Sequence, residues 1–152
     1  MTTDVTSQRI HALQAEHRQI RVLIGQLAAI EIELRHGGHV GARRVLEEVL
    51  QEMSRHVVRH MRQEEAQIFP LLGPAFGSRV PVLALLAEHH TIRMLVDQLA
   101  SHLDQKANLQ PWADRVSPVR LVIRQLAAAL ELHLRREEAA FGVLVMPMAA
   151  SA

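Results

Sequence analysis

The chain has 152 residues, 49% of them hydrophobic and 22% charged, with a formal net charge of +1. That is enough for one domain with a real core, spanning 1–152, and the balanced charge gives no general pull toward nucleic acid or anionic lipid. The absence of Cys removes disulfides, thiolate metal sites and Cys nucleophiles, the absence of Tyr removes phenolate ligands, and ten His are the one compositional excess.

The opening "MTTDVTSQRI" lacks the basic and then apolar run of a secretory signal, and no uninterrupted apolar stretch is long enough to span a bilayer. A soluble, cytoplasmic protein is therefore expected, with no membrane partner. Polar Thr, Asp and Ser in this segment are candidate N-caps for a first helix over roughly residues 5–36. Its apolar seam is Ile10, Leu13, His17, Ile20, Ile24 and Leu27, spaced in alternating steps of about three and four. After the breaker "RHGGHVG" a second helix is predicted over about 39–69, with the seam Leu46, Leu50, Met53, Val57, His60, Glu64 and Ile68.

The Gly/Pro-rich stretch "FPLLGPAFGSRVP" then separates off a third helix, about 79–106, with the seam Val82, Leu85, His89, Ile92, Val96, Leu99 and Leu103. A last breaker, "ANLQPWADRVSP", precedes a fourth helix near 115–146, whose seam is Ile123, Leu126, Leu130, His133, Glu137, Ala140 and Leu144. The final "MPMAASA" reads as a frayed tail. Strand signals are missing, and the connections are short enough for antiparallel neighbours. The predicted fold is all-α: an antiparallel up-down-up-down four-helix bundle.

Each apolar seam is interrupted by a His, and two also by a Glu. Burying an ionised carboxylate without partners is costly, so such groups neutralise, pair or bind metal. Counting along the helices places them at one height: about 19 residues separate His17 from the end of the first helix, and about 21 separate His60 from the start of the second. The same count around the other turns brings His89 and His133 to that level. The repeat agrees, because "AEHRQIRVL" (15–23) matches "AEHHTIRML" (87–95), and "HMRQEEAQIFPL" (60–71) matches "HLRREEAAFGVL" (133–144). The halves of the bundle are thus related by an approximate two-fold, which suits a centre of two metal ions.

At these residues the chain resembles the hemerythrin-like family of HHE cation-binding domains, and the likeness covers nearly its whole length. The resemblance implies two non-heme iron ions, carboxylate-bridged and joined by an oxo or hydroxo group. It makes Glu64 and Glu137 the bridging ligands and His17, His60, His89 and His133 the terminal ones. Reaction with oxygen or hydrogen peroxide is the implied activity, with a small-molecule substrate or electron donor as a further partner; a carrier, store or sensor is the alternative. The oxygen-carrying members place a second His one turn after the first on the third helix, where this chain has Arg93, and end in a His and Asp where it has His133 and Glu137. A fifth His ligand is available in His56, one turn before His60.

Other classes fit less well. A ferritin-like oxidase would put Glu-x-x-His into the central layer, a zinc hydrolase needs an open three-ligand site, and a structural bundle needs no polar layer. His90 shares a stripe with Arg93 and Asp97 and reads as solvated, and His11, His36, His39 and His102 read as surface residues. Glu65 and Glu138, each following a proposed ligand, are candidate acceptors for ligand His N–H groups or surface partners of Arg21 and Arg93.

Overall fold

The computed structural model describes residues 2–104 and 110–145. The described residues form four long helices and one short one: α1 (Thr2–Arg35), α2 (His39–Gln67), α3 (Phe69–Phe76), α4 (Val80–Leu103) and α5 (Trp112–Val145). There is no strand among the described residues. α1 is helical from Thr2; the side chains expected to cap it, and the tail expected to fray, lie outside what the structure describes.

Paired side chains define the directions. Residue 17 of α1 bonds residue 138 of α5 and residue 31 bonds residue 120, so these helices run antiparallel. The pairs Glu65 with His89 and Arg43 with the Leu103 carbonyl do the same for α2 and α4. Glu88 with His133 and the His102 carbonyl with Arg115 orient α4 against α5. α1 packs on α2 and α5, and α4 packs on the same two, closing a four-helix ring.

One expected loop is a helix. The stretch from Phe69 has the composition of a breaker, yet its prolines do not prevent helix formation: Pro70 stands in the first turn of α3, where its missing N–H has no intrahelical partner to lose. The turn ends at Gly77, whose φ of 62° is one that residues bearing a Cβ rarely adopt. Pro118 likewise sits inside α5, which begins three residues earlier than the breaker implied. α3 packs across α2, α4 and α5 at one end of the bundle.

The apolar core falls into two pieces. The larger runs from Ile20, Met61, Ile92 and Leu134 to the far end of the bundle. The smaller gathers Ile10, Leu13, Ile68, Phe69, Leu72, Leu85, Ala140 and Phe141 beneath α3. What separates them is a layer of buried polar side chains: His17, His60, Glu64, His89, His133 and Glu137. No helix of the described residues is long and apolar enough to cross a membrane.

Candidate metal centre

The seam spacing brings these six residues of the four long helices together in one buried layer. They form two adjoining groups, His17, His60, Glu64 and Glu137, and Glu64, His89, His133 and Glu137, with the ligand atoms of each group within 4.8 Å of one another. Both carboxylates belong to both groups. Glu64 faces His60 Nε2 through Oε1 at 2.9 Å and His89 Nε2 through Oε2 at 3.4 Å. Glu137 faces His133 Nε2 through Oε2 at 3.2 Å and His89 Nε2 through Oε1 at 3.5 Å, and His17 Nε2 lies 3.6 Å from both Glu.

Close approach is not hydrogen bonding here. His17 Nε2, His60 Nε2 and all four carboxylate oxygens of Glu64 and Glu137 are buried with no aligned hydrogen-bond partner. Orphaned polar atoms at this density are rare in a native interior. His89 Nε2 and His133 Nε2 stand 3.0 Å apart.

The outer nitrogens explain which atoms point inward. His17 Nδ1 donates to Glu138 (3.1 Å), His60 Nδ1 to Glu16 (2.8 Å), His89 Nδ1 to Glu65 (2.7 Å) and His133 Nδ1 to Glu88 (3.0 Å). An ionised carboxylate only accepts, so each pair puts the proton on Nδ1 and leaves Nε2 a lone pair facing the centre. Four imidazole lone pairs and two carboxylates form a nitrogen and oxygen donor set that a cation satisfies and an apolar core does not.

The outer carboxylates are themselves held. Arg21 makes a two-pronged pair with Glu138, Arg93 donates to Glu65, Arg136 bonds Glu88, and Arg59 lies 3.8 Å from Glu16. Arg93 therefore serves Glu65 and does not enter the centre. Glu65 and Glu138 were legible as acceptors from sequence. Glu16 and Glu88 were missed, although the repeated "AEH" wrote a Glu immediately before each lone His.

Titration follows the same geometry. Burial would push the Glu64 carboxyl up, but three surrounding imidazoles hold it well below the usual carboxylate range. Burial likewise works against a charged His89, and the carboxylates of Glu137, Glu64 and Glu65 outweigh it, raising that imidazole to about 9. His60 is raised in the same way, by Glu64 and Glu16 against burial.

Of the seven candidate ligands, His56 is not brought to the layer. Its side chain is 46% exposed and pairs with Glu52 at 3.0 Å. The reason is helical phase: the seam reaches His60 through Val57, and a step of four overshoots a full turn by roughly 40°, so His56 falls outside it. His90 is exposed, as are His11 and His36, while His102 is half-buried. The single Glu-x-x-His of the chain, Glu33 to His36, ends on that exposed His36, remote from the layer.

Fold and site together define a helical-bundle protein with a buried His/Glu cation site. The family model of the hemerythrin HHE cation binding domain matches residues 8–145, and the chain belongs to that family. Comparison with curated proteins and comparison with solved structures each give no significant match.

Proposed function

We propose that the layer holds two iron ions and that the loaded protein reacts with hydrogen peroxide or oxygen. In this reading His17 and His60 hold one ion, His89 and His133 the other, and Glu64 and Glu137 hold both. The observation that carries it is the pair of overlapping donor groups sharing two carboxylates whose oxygens have no other partner.

Iron in such a site would supply electrons to, or take them from, a small oxygen species. The protein's own contribution is placement and exclusion. The four Nδ1 carboxylates fix each imidazole plane and its tautomer. Apolar side chains on both sides of the layer, with Phe141 beside His17 and Phe69 stacked on His89, keep bulk water away. With Arg93 turned to Glu65 and His56 on the surface, neither ion gains a third His. The donor count supports an exchangeable position, and so turnover in preference to a long-lived oxygen adduct.

The test is iron analysis of freshly purified, iron-supplied protein with its visible spectrum before and after peroxide. About two irons per chain and bands that respond to peroxide with its consumption are expected. Tightly held zinc from iron-fed cells sinks the iron reading; an adduct that releases its oxygen under vacuum makes the protein a carrier; inertness to both reagents makes it a store or sensor.

A further inference from the structure

The short helix α3 has no counterpart in the other half of the bundle among the described residues. Next to the side chains that hold His89, a cavity of about 540 Å³ opens between α3 and the start of α4. Phe69, Pro74, Val82 and Leu86 form its apolar walls, Glu65 lies at its inner side and Arg79 at its rim. Its volume falls in the range of small-molecule pockets.

Its inner wall consists of the two side chains that hold the His89 ring. Phe69 stacks on that ring at 5.0 Å between centroids, and Glu65 accepts from its Nδ1 at 2.7 Å. The Glu65 charge is already met, by His89 and by Arg93 at 2.7 Å. Arg79 is different: among the described residues its guanidinium has no acidic partner, and the first turn of α4 beside it contains no acidic residue. A second cavity, of about 440 Å³, lies along α4 near Leu85, but its one cation, Arg136, is bound to Glu88. Of these two, the first pairs apolar walls with a positive charge that no carboxylate neutralises, which matches a small aromatic carboxylate: the ring against Phe69 and Val82, the anion on Arg79.

We propose that the cavity between α3 and α4 is a binding site for a small aromatic carboxylate, one side chain removed from His89. Its influence on the centre rests on the di-iron reading; the binding itself does not. Fluorine NMR titration of the whole protein with para-fluorobenzoate tests it. Saturable binding is expected, about tenfold weaker for neutral fluorobenzene and for the surface variant Arg79→Gln. Gly73→Leu should abolish it, because Gly73 lines the cavity and a Cβ there meets nothing closer than Arg79 Cγ at 3.9 Å, so the position accepts a side chain. Arg44→Gln, remote and paired with Glu48, should bind as the parent does.

In iron-loaded protein, para-fluorobenzoate should also shift the visible bands of the parent and not those of Gly73→Leu. Absence of binding, or equal binding by the parent, Arg79→Gln and Gly73→Leu, overturns the site. Binding without any iron bands sinks the di-iron reading and leaves the site standing, whereas iron bands without binding sink the site alone.

Discussion

His89 shows what the layer asks of a single residue. It is buried, its Nδ1 is committed to Glu65, and its Nε2 faces two carboxylates and the His133 ring nitrogen. Raised from 6.5 to about 9, it contributes stability to metal-free protein that is complete below about pH 6.5 and is lost as pH rises through 9. A metal ion must displace that proton, so metal affinity should rise with pH, by roughly tenfold per unit for each proton released, until His89 is neutral. Competition titrations with a chelator across this window check it, and an affinity independent of pH would show that His89 carries no proton for the metal to displace. The shared carboxylates make a second prediction. Glu64→Ala or Glu137→Ala should empty the whole centre, Glu16→Gln should weaken metal binding about 10- to 100-fold, and His90→Ala and His56→Ala should leave metal content unchanged. Metal analysis decides, and a loss in His56→Ala equal to that in Glu64→Ala would mean that the α2 register is wrong.

At the scale of elements, α3 is the piece that breaks the symmetry of the repeat. Position 69 is Phe and begins α3, while the matching position in the second half is Gly142, near the end of α5. Phe69 and Leu72 belong to the smaller core cluster, and Leu72 is fully buried there. Leu72→Ala should cost roughly 2–5 kcal/mol, measured by denaturant unfolding of the metal-loaded protein; a cost under about 1 kcal/mol would show that α3 is a loose flap. The opposite end of α1 is tied differently. Glu31 is buried and accepts from Arg120 at 2.8 Å, Arg124 at 3.1 Å and Arg35 at 2.9 Å. Burial would raise its carboxyl, but Arg120 and Arg35 hold it below the usual carboxylate range. This cluster joins α1 to α5 far from the centre and has no role in it.

For the whole molecule, the layer is costly to fold around without a cation. Six buried polar side chains divide the core, and most of their inward atoms have no hydrogen-bond partner. Metal that binds only the folded protein therefore stabilises it by mass action, about 4 kcal/mol at a thousandfold excess over Kd. The loaded protein should melt well above the metal-free form in calorimetry, with a midpoint that depends on metal concentration. Equal midpoints would show that the layer satisfies itself and that the donors are not waiting for an ion.

Helical periodicity and composition were sufficient for much of this. The steps of three and four from Ile10 to Leu27, and their counterparts in the other seams, already identified the buried faces, because a helix has one period and one inward side. The interruption of every seam by His, and the repeat that aligned His17 with His89 and His60 with His133, made the central layer legible, since position along a helix is a simple count of residues. Whether a residue near a seam faces inward was another matter. His56 lies one turn from His60 and still points outward, a difference of angle that spacing by fours does not resolve. The acceptors Glu16 and Glu88 act on imidazoles of neighbouring helices, and α3 with its cavity depends on how the chain packs across the end of the bundle. Those contacts join residues distant in the chain, so only the packing of one helix against another could decide them.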